Sequence, residues 1–306
     1  MKLKSCILLT SDVQNIRHAE FVAWQLKSPD TPEIFIGVGE DFHLVQDHSL
    51  ANLFQINGSD AFDTLPSSER LKRFTYWRIP AIDQLAKTYD RILYLDTDLV
   101  ISAESALTLL SIDLHNMKIA AVRDVRQSIR ADRKIAEFTA VGLKNAGYFN
   151  AGVLIIDGKK WRESRALEQI LDIGRKNPEA MMTHDQSLLN IYAYENWLEI
   201  SPAWNWQVSS RNIYLIEKFN AQVLHLAGEN KVWLSNPKPK HIFKHRDKYK
   251  KFLKDVYQED LKPAKELPPS LRAHLWLKSL YYKNKYKHWC NKFPNPLHGI
   301  VRDCSN

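Results

Sequence analysis

Cysteine is scarce: only Cys6, Cys290 and Cys304 occur in 306 residues. An odd number without metal-ligand spacing argues against a disulfide scaffold and against a thiolate metal site. It fits a reducing compartment, with the cytoplasm as the expected location. Long apolar runs are missing too. Nothing approaches the roughly 18 residues of a membrane span, and the apolar stretch Ile7–Leu9 is too short for a signal-peptide core. It reads instead as a first buried strand. Internal repeats and low-complexity tracts are absent, and no Pro/Gly/Ser linker divides the chain before Pro263. A tandem of unrelated domains is therefore not expected.

What is present is ordinary in bulk. A hydrophobic fraction of 44% and a charged fraction of 25% suit a globular chain long enough to bury a core. The net charge of +8 is uneven. Residues 262–306 hold nine Lys/Arg against Glu266 and Asp303, so seven of the eight positive charges sit there. The basic character describes a tail and not the body. The weak boundary at Asp260–Pro269 divides the chain into a catalytic unit, 1–260, and a basic aromatic helical tail, 261–306.

Strand and helix patterns alternate through the first 160 residues. Ser5–Thr10, Glu33–Val38, Ala51–Ile56, Arg91–Leu95, Lys118–Val122 and Ala151–Ile156 read as strands. Helical periods appear near Arg17–Leu26 and over Glu69–Lys87. This alternation predicts an α/β fold with a Rossmann-like, mainly parallel mixed sheet flanked by helices. Such sheets bind ligands beyond the carboxyl ends of their strands, so chemistry is expected after Thr10 and Leu95.

Asp96-Thr97-Asp98 follows the apolar strand RILYL directly. If the chain stays extended, both carboxylates point to one side. Their repulsion invites a hard divalent cation, although two solvated loop acids remain the alternative. His225 closes the strand-like QVLHL, with Gly228 and Lys231 on the following loop. Two carboxylates and an imidazole suit Mn²⁺ somewhat better than Mg²⁺. The other reading is a satisfied core histidine. Asn150-Ala151-Gly152 opens a buried strand, which points to a polar group aimed into a cavity, or to a simple bulge at Gly152. Thr183 and Gln186 have the spacing of a helix capping box, and that alone would explain them.

Six segments taken in order resemble glycosyltransferase family 8, the group of glycogenin, plant galactinol synthases and bacterial lipooligosaccharide α-galactosyltransferases. They are LLTSD (Leu8–Asp12), TYWRI (Thr75–Ile79), RILYLDTDLVI (Arg91–Ile101), YFNAGVLIID (Tyr148–Asp157), HDQSLLN (His184–Asn190) and HLAGENKVW (His225–Trp233). The likeness runs from about residue 5 to 250. It implies a GT-A fold, a UDP-sugar donor such as UDP-galactose or UDP-glucose, Mn²⁺ with Mg²⁺ as the alternative, and retention at the anomeric carbon. By resemblance, Thr10, Asp12 and Gln14 look like uridine and ribose contacts, and Arg78 like a donor contact. Asp96, Asp98 and His225 look like metal ligands, with Thr97 between the acids, and Gly228 and Lys231 like diphosphate contacts. Asp124, Asn150 with Ala151, and Asp185 look like the groups around the sugar hydroxyls, and Gln186 like the residue beneath the anomeric carbon. Two departures stand out: Val232 replaces the proline of Lys-Pro-Trp, and Gln14 stands where Asn is commoner.

An amide at Gln186 is a poor nucleophile, so same-face attack by the acceptor is expected over a covalent route through Asp185. A sugar-nucleotide pyrophosphorylase, which needs a Gly-rich, basic loop after the first strand, is not expected, because the loop Ser11–Asn15 has neither glycine nor a basic residue. A non-catalytic UDP-sugar-binding protein on the same scaffold is the competing reading. In the tail, Leu271, Leu275, Tyr282, Tyr286, Trp289 and Phe293 fall on one helical stripe flanked by Lys278, Lys285 and Lys292. That pattern predicts peripheral binding to an anionic membrane surface on its cytoplasmic face, and family members with lipid-linked acceptors carry similar tails. Docking of the helix on its own body is the alternative. Nucleic acid is not expected as a partner, since no recognition module accompanies the basic residues.

Overall fold

A computed structural model describes residues 3–66, 73–130 and 132–300. Its strands are, in chain order, β1 (Ser5–Ser11), β2 (Ile34–Val38), β3 (Asn52–Gln55), β4 (Arg91–Leu95), β5 (Leu99–Val100), β6 (Ile119–Arg123), β7 (Phe149–Asp157), β8 (Leu198–Glu199), β9 (Trp206–Gln207) and β10 (Leu224–His225). The main sheet has seven strands in the order β3-β2-β1-β4-β7-β6-β8. Every neighbouring pair is parallel except those of β7, which runs antiparallel to both β4 and β6.

The period of two along these strands divides the core between the two faces of the sheet. Ile7, Leu9, Leu93 and Leu95 pack into one apolar cluster, while Cys6, Leu8, Ile92 and Tyr94 pack into the other. Helices Arg78–Ala86, Gly158–Glu163, Ala166–Lys176 and Asp185–Tyr192 contribute to the second cluster. Helices Ile16–Gln25, Ala103–Ser111 and Lys240–Phe252 cover the first. Burial on both faces is why RILYL is apolar throughout, and each such side chain contributes about 1.5–3 kcal/mol.

The expected strands form with ends shifted by a residue or two. The helix expected over Glu69–Lys87 is realised as Arg78–Ala86 behind a short 3₁₀ segment, Arg73–Trp77; its first residues, 69–72, lie outside the described residues. The capping box does not form. His184 and not Thr183 precedes the helix Asp185–Tyr192, with φ of 52° and no capping bond from its side chain. Thr183 Oγ1 instead meets the Tyr148 hydroxyl at 2.6 Å, which leaves the Gln186 side chain free for other partners.

A second sheet orders β5-β10-β9. It pairs Leu99 with His225 and carries a bond from the Leu226 N–H to the Asp98 carbonyl at 2.9 Å. This small sheet joins the end of β4 to a strand far along the chain.

The last helix, Pro269–Cys290, packs on the body. Tyr286, Trp289 and Phe293 are buried in the first apolar cluster, and Leu275 and Tyr282 lie partly buried against it. Most of the stripe expected to meet a membrane therefore faces inward. The outer face carries Trp276 (52% exposed), Leu277 (58%), Leu280 (47%) and Tyr281 (74%), and Leu271 is exposed with them. Arg302 and Cys304 lie outside the described residues. Among the described residues no helix is long and apolar enough to cross a membrane.

Candidate active site

A cavity of about 920 Å³ opens beyond the carboxyl ends of β1 and β4, where the strand order and the bulged start of β7 leave a crevice. Between Ala121 and Val122 of β6 the partner in β7 jumps from Leu154 to Asn150. Both readings of the glycine segment thus hold together: the strand is irregular there, and Asn150, Ala151 and Gly152 line the cavity.

Asp96 and Asp98 stand at its centre. The chain turns at Thr97 and Asp98 instead of staying extended, yet the two carboxylates still converge. His225 joins them because of the β5–β10 pairing, and one ligand atom from each residue lies within 4.8 Å of the others. Its Nε2 is 3.1 Å from Asp98 and 3.8 Å from Asp96. Burial works against charge on His225, but Asp98 and Asp96 outweigh it and raise its pKa. Desolvation would likewise raise Asp98, but His225 and Lys231 hold its carboxyl well below the usual range. A hard or borderline divalent cation fits this donor set. The fit is tight: a β-carbon on Gly152 would sit 2.4 Å from His225 Cε1.

Protein cations meet the same acids. Arg78 Nη2 lies 3.1 Å from Asp96 and its Nε 2.9 Å from Asp185, while Nη1 donates to the Ala151 carbonyl at 2.6 Å. Arg78 also lies over the Tyr94 ring, whose hydroxyl donates to Asp96 at 2.9 Å. Burial raises the Asp185 pKa to about 6 despite Arg78. Lys231 Nζ reaches Asp98 at 3.6 Å.

On the opposite wall, Gln186 donates to Asp124 Oδ2 at 3.1 Å, and its Oε1 accepts from Asn150 at 3.2 Å and from the Ala151 N–H at 3.0 Å. Asp124 Oδ1 accepts from Arg126, whose Nη1 reaches the buried Glu137 at 3.2 Å. Of the residues singled out in the sequence, Thr10, Arg78, Asp96, Thr97, Asp98, Asp124, Asn150, Ala151, Asp185, Gln186, His225 and Lys231 all line the one cavity.

Asp12, Gln14 and Gly228 do not line it. Asp12 caps a short turn, accepting from the Asn15 N–H at 2.8 Å, and Gln14 points to solvent. Gly228 takes φ of +63° on an exposed turn, so it shapes the loop that presents Lys231. The lining also includes Asn15, His18 and Trp233, which the sequence did not single out. His18 stacks on Trp233 with ring centroids 3.7 Å apart, and burial holds its pKa near 3, so the ring is neutral. Asn15 immediately precedes the helix that starts at Ile16, and His18 lies about one turn further on, a spacing visible only once the helix start was known. Asn205 was missed too, although its position between Trp204 and Trp206 marks a polar residue in an apolar run.

Comparison with known proteins identifies the family and the fold. Residues 27–237 match the glycosyl transferase family 8 model. Glycosyltransferase GlyF of Streptococcus pneumoniae is 28% identical over 214 residues, covering 68% of this chain and 49% of GlyF. The lipopolysaccharide 1,2-glucosyltransferase of Escherichia coli is 28% identical over 187 residues, covering 60% of this chain and 53% of that enzyme. The chain thus aligns with about half the length of these relatives. Among solved structures, the galactosyltransferase LgtC in complex with donor and acceptor sugar analogs superposes with a TM-score of 0.64 at 18% identity, over 88% of this chain and 99% of LgtC. That likeness establishes the GT-A type of fold. With most of its length matched to the family model, and with the acids, the histidine and the glutamine gathered in one crevice, the chain belongs to glycosyl transferase family 8.

Proposed function

We propose that this protein is a retaining, metal-dependent hexosyltransferase that moves galactose or glucose from a UDP-hexose to a glycan acceptor, a lipopolysaccharide-type surface saccharide. The observation that carries the reading is the convergence of Asp96, Asp98 and His225 beside Lys231 in a cavity large enough for a sugar nucleotide. The acceptor class rests on the Escherichia coli relative, whose name specifies lipopolysaccharide.

Asp96, Asp98 and His225 would hold Mn²⁺, with Mg²⁺ as the alternative, and the ion supplies Lewis-acid neutralisation of the diphosphate. Lys231 adds a positive charge on the same side. Arg78 bridges Asp96 and Asp185 and offsets their mutual repulsion. Gln186 Oε1 already receives two N–H bonds, so its lone pairs are committed and it attacks carbon poorly. Asp185 is buried and engaged by Arg78. Both facts favour direct transfer. The bond from the anomeric carbon to the phosphate oxygen breaks, the acceptor oxygen bonds to that carbon on the same face, and the hydroxyl proton passes to the departing phosphate oxygen. UDP release from UDP-galactose and UDP-glucose, with and without Mn²⁺ and acceptor, tests the reading. Binding of UDP-hexose without turnover under every condition would leave only a binding protein.

The outer face of the last helix supports a second part of the proposal, that the enzyme works from the cytoplasm against an anionic lipid surface. Trp276, Leu277, Leu280 and Tyr281 are exposed there on a helix that also carries Lys278, Lys283, Lys285 and Lys287. Flotation with phosphatidylglycerol vesicles checks it. Trp276→Ser with Tyr281→Ser is expected to abolish flotation without altering turnover of a soluble acceptor, whereas unchanged flotation removes the lipid role.

A further inference from the structure

Behind His225, three side-chain amides form a chain whose direction is forced. A backbone N–H can only donate. The Ala151 N–H, 3.0 Å from Gln186, therefore faces the carbonyl oxygen of that amide. The Gly152 N–H, 3.0 Å from Asn150, faces Oδ1 for the same reason. Asn150 then turns its NH₂ to Gln186 Oε1 at 3.2 Å. Its Oδ1 also meets Asn205 at 2.8 Å, and an oxygen there demands a donor, so this end of Asn205 is Nδ2. The other end of Asn205 is an oxygen, 3.0 Å from His225 Nδ1. Since that oxygen only accepts, Nδ1 carries a hydrogen. The second ring nitrogen, Nε2, is the one that faces Asp98 and Asp96.

We propose that Asn205 is a positioning residue that selects the Nδ1–H tautomer of His225, and that Asn150 ties this selection to the orientation of Gln186. The consequence for a metal rests on the function proposed above. A ligand nitrogen must present a lone pair, and in water a neutral imidazole populates both tautomers. The carboxylates facing Nε2 also only accept, so the ring between them and Asn205 carries a hydrogen on each nitrogen. A cation at Nε2 would replace one of these and leave the Nδ1–H on Asn205, with no turn of the ring. Asn205 is fully buried, so no water competes to turn its amide over. Asn150 is thereby engaged at both ends inside the protein wall, and the two functional halves of the cavity share one hydrogen-bonded support.

The test compares wild type, Asn205→Leu and Asn205→Asp. Long-range ¹H–¹⁵N spectra of the metal-free protein, recorded above the titration of the imidazole, report the tautomer of His225 directly, with His225→Gln assigning the signal. Wild type is expected to show Nδ1–H. Asn205→Leu is expected to lose that preference and to bind Mn²⁺ about 10–100-fold more weakly by calorimetry. Asn205→Asp still accepts from Nδ1–H, so tautomer and Mn²⁺ affinity hold. It faces Asn150 Oδ1 with a second oxygen, however, so turnover falls while Mn²⁺ binding does not. An Nε2–H signal in wild type overturns the proposal, as does wild-type Mn²⁺ affinity in Asn205→Leu. Should the leucine variant not fold, the wild-type spectrum and the aspartate variant decide. Absence of Mn²⁺ binding by wild type would sink the metal reading instead, and the tautomer spectrum would still be read.

Discussion

Asp98 has two cationic partners within the protein, His225 at 3.1 Å and Lys231 at 3.6 Å, and Asp96 has Arg78 at 3.1 Å. Like charges two residues apart are tolerable only with such compensation. A divalent ion would replace part of it, freeing Lys231 to turn toward a phosphate. Asp98→Asn removes an anionic ligand and should lower Mn²⁺ affinity and transfer by at least about 100-fold, more than loss of a supporting partner does. Chelation with EDTA should abolish transfer in wild type, and added Mn²⁺ should restore it. Equal activity with and without chelator would refute the metal role. Gly152 offers an independent check, because an added β-carbon would meet His225 Cε1 at 2.4 Å and Nδ1 at 2.7 Å. Gly152→Ala should push the imidazole aside and weaken Mn²⁺ binding by about tenfold or more, with folding followed by circular dichroism. At this scale the DxD pair alone left two readings open, a cation site or two solvated loop acids, and it was the resemblance of the surrounding segments that favoured the first. The structure groups both acids with His225. Asn205 was not legible, because its value lies in which atom of its amide faces which neighbour.

Elements were readable where burial is two-sided and obscure where it is decided by a neighbour. Arg91–Leu95 came out at the expected bounds because a strand covered on both faces must be apolar at every position. The capping box failed for a tertiary reason: Thr183 bonds with Tyr148 and Ser187, and Gln186 with the start of β7, so neither is free to cap the helix. The apolar stripe of the last helix was recognisable, but sequence periodicity does not say whether the partner of such a stripe is lipid or protein, and the opposite face carries Trp276, Leu277, Leu280 and Tyr281 as well. Here Tyr286 and Trp289 are 0% and 4% exposed against the body. Trp289→Ala should therefore cost about 3–5 kcal/mol of stability, measurable by urea denaturation. Removal of the helix as a whole should destabilise the body, so truncation is a poor probe of lipid binding, and outer-face substitutions are the informative ones.

For the whole molecule, several histidines are buried in a neutral state. Burial lowers the pKa of His18 to about 3 and of His245 to about 4, against 6.5 for an unperturbed imidazole. Below pH 6.5 the unfolded chain takes up protons that the folded protein refuses, so stability falls as pH drops. The loss runs from pH 6.5 to about 4 for His245 and to about 3 for His18. Thermal unfolding should show Tm level near neutrality and declining through that window. His18→Gln should flatten the decline even while it lowers Tm at neutral pH through the lost Trp233 stack. A Tm independent of pH across the window would contradict this assignment.

Alternation of apolar strands with helical periods, six short segments in order, and the concentration of positive charge after residue 261 were properties of the chain alone, and they determined its class and the family it belongs to. Such features follow from local periodicity and spacing, which do not depend on knowing who packs against whom. The tertiary structure decided the rest. It brought His225 to Asp98 by pairing β10 with β5, committed Asn150 and Asn205 to a shared amide chain, and turned the aromatic stripe of the last helix inward. Each of these depends on contacts between residues far apart in sequence, and no local pattern specifies the partner.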